Sequence, residues 1–317
     1  MDLLLNDDQS AIAEAVARMV ERHGRQQVGD AAYLLQSPSL EAALVDSDFL
    51  NVGRTDGWGV MEAIVVVEGL AQSAAALEAG ASAIVAPGLG APRDLPRSVA
   101  LIDVTRPGDV RHLSADGSAL ILTPQEVRLA SGGQLAVEPV DTVYAYPMGR
   151  AQKDPRGAGE VLPVDPAQMR RLWRLALGAE AVGLMRAALD LVVGYVKTRK
   201  QFGQPIGVFQ TIQHRLSECE VLVRGSWLLV QEAAFRGTEE TAAFAALMVQ
   251  QAATRLVYET HQFHGAIGLT LEYPLHYWTY RLRVLQGELG GPGGQGVEAA
   301  SLAWPPERPV SRDFVQP

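Results

Sequence analysis

Apolar residues Ile12, Ala15, Val16, Met19 and Val20 recur three and four positions apart, the spacing that lines side chains along one stripe of an α-helix. Asp7 or Asp8 stands where it can cap the first turn. The same spacing predicts helices over 39–47 and 59–77. The second has only a few Glu and Gln among its apolar residues, so it is expected to be buried on most sides. From about Pro92 to Pro163 the period changes. Short β-type runs (SVALIDV, ALILTP, EVRLA, QLAVEPV, DTVYAYPM) alternate with Gly, Pro and Asp, and AQKDPRGAGEVLP at 151–163 reads as a linker.

At Asp165-Pro166, a capping residue followed by a first-turn proline, long amphipathic patterns resume. They predict four helices near 166–199, 206–236, 238–269 and 273–289, with short connections that favour antiparallel neighbours in a bundle. The glycine-rich GELGGPGGQG (287–296) reads as a mobile loop or helix terminator, and the Pro-rich 302–317 as an irregular tail. The period therefore divides the chain into a helical zone at 1–91, a small β zone with linker at 92–163, and a helical bundle with tail at 164–317.

Composition narrows the function. The net charge of −9 lacks the basic face that nucleic acid requires. No apolar run approaches the ~18 residues of a membrane span, and the first residues lack the basic start and apolar core of a signal peptide. The lone cysteine, Cys219, has no disulfide partner within the chain. It reads as a small buried hydrophobe in a reducing, cytoplasmic setting.

Two clusters could carry chemistry. In TRKQFGQPIGVFQTIQH (198–214), Arg199 ends one helix and Gln210, Gln213 and His214 begin the next across a Gly/Pro turn. A guanidinium and amides gathered there suit an anionic nucleotide-type ligand, although such residues also cap ordinary helix junctions. In HQFHGAIGLTLEYPLHYW (261–278), Gly265 and Gly268 would allow a close backbone approach beside Gln262. His261 and His264 share a helix face, but no third ligand stands at metal-site spacing. The aromatics Tyr273, Tyr277, Trp278 and Tyr280 are expected to fill a helix interface.

Together the segments 181–214 and 261–284 resemble the C-terminal half of the acyl-CoA dehydrogenase family, with weaker matches at the N-terminal helix and at 55–71. The resemblance implies a mostly α fold with an N-terminal helical domain, a middle β domain, contracted here, and a C-terminal four-helix bundle. It implies FAD across a subunit boundary, and an acyl-CoA substrate that loses an α proton to a carboxylate and a β hydride to flavin N5. Arg199, Gln201 and Phe202 match the residues that reach the nucleotide end of a neighbour's flavin, with Gln210 and His214 on the following helix turn. Gln262 and Gly265 match a contact to the flavin phosphates in which Ala266 replaces the second glycine.

The family supplies its base from one of two places. One lies about nine residues after the arginine matching Arg281, where this chain has Gly290; Glu288 fits only after a two-residue shift. The other falls on Trp173, beside Arg174, which matches an arginine of the family and is a candidate substrate contact. The T-E-P-x-x-G-S-D stretch that holds the isoalloxazine ring has no counterpart in 92–160. Such a chain resembles the smaller, base-deficient subunit of α2β2 heterotetramers that act on steroid side chains and other bulky acyl-CoAs. It implies a catalytic partner chain and an electron-transfer flavoprotein or similar acceptor. Two alternatives are a homomeric dehydrogenase with Glu288 as base and a scaffold that no longer binds flavin.

Overall fold

A computed structural model describes residues 4–23 and 32–304. Helix α1 (Asp7–His23) is capped one residue earlier than expected. Asn6 Oδ1 accepts from Gln9 N at 2.8 Å and Gln9 Oε1 accepts from Asn6 N at 3.1 Å, leaving Asp7 and Asp8 in the first turn. Helix α2 (Pro38–Asp46) begins at Ser37, whose hydroxyl accepts from Leu40 N. Helix α3 (Val60–Ala71) is buried along most of its length, but it ends well before residue 77. The reason lies across the fold. The buried guanidinium of Arg281 donates to the carbonyls of Ser73 at 2.5 Å and Ala75 at 3.1 Å, so this stretch is satisfied without helical bonds. A one-turn helix, α4 (Ala86–Gly88), follows.

The β zone forms two sheets. In the first, β1 (Val99–Asp103) runs parallel to β3 (Ser118–Leu122), which pairs antiparallel with β4 (Val127–Ser131), and β4 with β7 (Glu160–Leu162). In the second, β2 (Val110–Arg111) and β5 (Val137–Val140) flank β6 (Met148–Ala151). The one-turn α5 (Gly132–Leu135) links β4 to β5. Alternation along β1 sends Val99 and Leu101 to the main core and Ala100 and Ile102 to a small second core. Two expectations fail here. Residues 141–147 form no strand, and the segment read as a linker contributes β7, an edge strand on β4.

The bundle opens with α6 (Pro166–Thr198), where Asp165 Oδ1 accepts from Ala167 N at 2.8 Å. The two-residue strands β8 (Lys200–Gln201) and β9 (Gln204–Pro205) form a hairpin into α7 (Gln210–Arg236), followed by α8 (Glu239–His264), α9 (His276–Leu285) and α10 (Gly291–Ala303). Helices α3 and α6 touch closely: a Cβ on Gly183 would lie 2.1 Å from Glu68 O. The glycine-rich segment is not a loop. Glu288–Gly290 form a single turn and α10 starts at Gly291, with Pro292 in its first turn. Buried amides explain this order. Gln250 donates to Leu285 O and Glu288 O, and Gln295 donates to Leu289 O at 2.8 Å. The expected irregular tail includes the end of α10, and residues 305–317 lie outside the described set.

Candidate active site

A cavity of about 280 Å³ opens between the β zone and the bundle. Its walls include Val99, Leu101, Arg111 and His112 on the sheet side, and Trp173, Val284 and Glu288 on the helical side. Glu288 is the focus. Its Oε1 accepts from Arg111 Nε at 2.5 Å, and its Oε2 accepts from Trp173 Nε1 at 2.7 Å. Arg111 also donates to Glu180 Oε2 at 2.9 Å, and Tyr146 donates its hydroxyl to Glu180 Oε1 at 2.6 Å. One buried cation is thereby shared by two carboxylates.

The electrostatics follow from burial and pairing. Desolvation alone would depress the Arg111 pKa, but Glu180 and Glu288 carry it well above the ordinary arginine value. Burial and then the Glu180 charge push the Tyr146 hydroxyl well above its usual range, so it stays a donor. His112 stacks edge-on against Tyr146 with centroids 5.2 Å apart, and its Nε2 has no hydrogen-bond partner. Burial, with the charges of Arg111, Arg97 and Arg281, holds its pKa well below the ordinary value, and the imidazole is neutral.

Although 287–296 was expected to be a mobile loop or helix terminator, the Glu288 carboxylate is mostly buried and fixed by two donors. At the position counted directly for a base, Gly290 has φ 91°, and a Cβ there would lie 2.5 Å from the Arg106 guanidinium. A side chain there would meet both backbone strain and that guanidinium. Arg174 is also internal. Its Nε donates to Gln295 Oε1 at 2.8 Å and its guanidinium pairs with Glu298 at 3.1 Å, so its bonds go to α10 rather than to the cavity.

The nucleotide-end residues lie apart from this cavity. Arg199, Gln201, Phe202, Gln210, His214, Gln262 and Gly265 are all exposed around the β8–β9 hairpin, the start of α7 and the end of α8. Among the described residues Arg199 has no ion-pair partner, and Phe202 is 89 % exposed. A Cβ on Gly265 would meet nothing within 4 Å. By contrast, His261 and His264 are engaged internally, by Thr279 Oγ1 at 3.0 Å and the Thr260 carbonyl at 2.7 Å. Of the aromatics at 273–280, Tyr273 and Trp278 pack against other helices as expected, whereas Tyr280 stacks on Tyr33, outside any helix. Tyr273 lies against Tyr195 and His264, and the Trp278 indole donates to Gln72 O.

Sequence reading missed Arg111, His112, Tyr146 and Glu180. Arg111 and His112 sit in a turn-rich stretch with no period to place them. Glu180 does carry a signal: it is the one acid within the apolar run LALGAEAVGLM of α6.

A three-part α/β/α arrangement with a cavity between sheet and bundle defines a class, and the comparisons say which. Residues 171–292 match the acyl-CoA dehydrogenase C-terminal domain. The chain is 27 % identical to acyl-CoA dehydrogenase IpdE2 of Mycolicibacterium smegmatis over 92 % of its own length and 97 % of that protein. It is 32 % identical to IpdE2 of Mycobacterium tuberculosis over 58 % of its length and 63 % of that protein. Its fold is similar to a chain of the ChsE4-ChsE5 complex from M. tuberculosis, with a TM-score of 0.77, 21 % identity and coverage of 98 % and 100 %. Residues 171–292 therefore carry the acyl-CoA dehydrogenase C-terminal domain, and the chain as a whole has the acyl-CoA dehydrogenase fold.

Proposed function

We propose that this chain is a subunit of an FAD-dependent acyl-CoA dehydrogenase and completes the flavin site of a catalytic partner chain in an α2β2 heterotetramer. The observation that carries this reading is a separation. The residues suited to the nucleotide end of a flavin lie exposed, with Arg199 unpaired among the described residues, while the base position on α6 is a buried tryptophan bonded to Glu288. An exposed guanidinium, amides and a bare glycine fit a pyrophosphate presented from outside.

In this reading Arg199 pairs with the pyrophosphate, Gln201, Phe202, Gln210 and His214 line its approach, and Gln262 and Gly265 admit the phosphates. A flavin held there supplies a hydride acceptor for α,β-desaturation of an acyl-CoA thioester, with an electron-transfer flavoprotein or similar acceptor downstream. The two-chain ChsE4-ChsE5 neighbour supports the heteromeric form. A structural neighbour described as a steroid acyl-CoA dehydrogenase supports a bulky, steroid-derived acyl group. The division at 1–91, 92–163 and 164–317, and a cytoplasmic location, belong to the same proposal.

Expression alone and with the partner tests this. The chain alone is expected to be poorly soluble or colourless, because its partner-facing surface is uncovered, and to co-purify with yellow FAD when the partner is present. A purified homomer with stoichiometric FAD overturns the proposal. That outcome would favour a second reading, supported by the placement of Glu288 in the cavity wall: a homomeric enzyme with Glu288 as its base.

A further inference from the structure

A second cavity, of about 200 Å³, lies on the other side of the Arg97–Glu78 pair from the first, and Val99 lines both. Three arginines reach its wall: Arg54, Arg93 and Arg97, together with Asp48, Asn51 and Ser82. Two of the three are already engaged. Arg97 donates to Glu41 at 2.8 Å, to Ser82 Oγ at 2.9 Å and to Glu78 O at 2.5 Å, and its guanidinium pairs with the Glu78 carboxylate. Arg93 pairs with Asp48, whose other oxygen accepts from the Asn51 amide at 2.7 Å.

Arg54 differs. Among the described residues its Nε is buried without a hydrogen-bond partner, and its one bond is a long 3.3 Å contact to Pro92 O. Burial and then the charge of Arg93 lower its pKa, and no carboxylate offsets either effect. Asp48, in the same wall, answers the charge of Arg93, so Arg54 is the half-buried cation of this cavity that has no carboxylate partner among the described residues.

We propose that this cavity binds a phosphate group, held by the free Nε edge of Arg54 and by Arg93, with Asn51 and Ser82 as neutral neighbours. A guanidinium with an unused edge offers parallel N–H donors that match a tetrahedral oxyanion. The site uses α2, the segment 49–54 and the approach to β1, and none of the residues assigned above to flavin or to the base position. It therefore stands whether or not the chain has a catalytic partner.

The test measures thermal unfolding of the full protein, as the complex with its partner where one is required, in inorganic phosphate against sodium chloride of equal ionic strength. About 10 mM phosphate is expected to raise the Tm of wild type by about 2–4 °C above the chloride control. Arg54→Gln should abolish that rise, and Arg93→Gln, which leaves Arg54 in place, should reduce it. Adenosine 3′,5′-bisphosphate serves as a second probe. A larger rise than with inorganic phosphate identifies a phosphate ester as the ligand, and an equal or smaller one identifies the free ion. The proposal is overturned if wild type shows no rise beyond chloride, or if Arg54→Gln keeps the full rise. If Arg54→Gln does not fold, an undiminished rise in Arg93→Gln overturns it equally.

Discussion

Trp173 donates its indole N–H to Glu288 Oε2 at 2.7 Å, although 115 residues separate them in the chain. The family resemblance assigns its base to one of two places, and these two residues stand at or next to them. In the fold Trp173 and Glu288 are neighbours on one cavity wall. Here one is a hydrogen-bond donor and the other is the carboxylate it holds. A tryptophan has no proton-accepting group, and Glu288 has an additional donor in Arg111. The pair reads as a fixed strut between α6 and the start of α10.

Trp173→Phe removes the N–H donor and, because phenyl is smaller than indole, some buried ring volume with it. One hydrogen bond to a charged acceptor is lost in a nearly buried place, so stability should fall by about 1.5–3 kcal/mol. Denaturant unfolding should show a lower midpoint at unchanged slope. An unchanged midpoint means the bond is not formed in solution.

The helical zones were legible in the sequence because burial on one stripe leaves a period. Asp165-Pro166 marked the start of α6, and the run from Val60 marked α3. What escaped notice depended on distant partners. Residues 72–77 leave the helix because Arg281 takes their carbonyls, and 287–296 fold because Gln250 and Gln295 take theirs. A local pattern cannot show a donor supplied from elsewhere in the chain. The set around Arg199 was named from the resemblance, and Glu288 with it, whereas Arg111, which joins Glu288 to Glu180, left no motif and needed the fold.

Arg199→Ala should leave this chain folded, since its side chain is exposed and makes no ion pair among the described residues. If Arg199 pairs with the flavin pyrophosphate, the variant complex should retain FAD about ten- to a hundredfold less tightly. Flavin fluorescence released on dilution reads this directly. Retention equal to wild type would remove Arg199 from the flavin site.

His112 makes stability depend on pH. Its pKa is ordinary, about 6.5, in the unfolded chain and well below that in the fold, so the unfolded state binds more protons in between. The contribution is fully present above about pH 6.5 and is lost as pH falls toward the folded value, by up to about 1.4 kcal/mol per pH unit. His261 and His264, also lowered chiefly by burial, add in the same direction. His112→Asn, which tolerates the φ of 61° at this position, should flatten the acid limb of unfolding curves measured from pH 5 to 8. An acid limb as steep as that of wild type would show that His112 is not held neutral.

Glu288→Gln separates the two readings of the cavity. If Glu288 is a strut, the amide can still accept from one of Trp173 and Arg111, and Arg111 keeps Glu180 as its counter-ion. Turnover of the assembled complex should then stay within about threefold, a barrier change below about 1 kcal/mol. Stability should fall by about 1–3 kcal/mol, because one buried charge-assisted bond is weakened. If Glu288 is the base, the amide cannot take the α proton, and turnover should fall by at least about a hundredfold while stability changes in the same way. Stability therefore does not discriminate, and kcat at constant FAD content does. A hundredfold loss with full flavin would make this chain the catalytic one. A kcat within threefold places the proton acceptor on another chain, and the Arg111–Glu288–Trp173 cluster then fills a vacated base site.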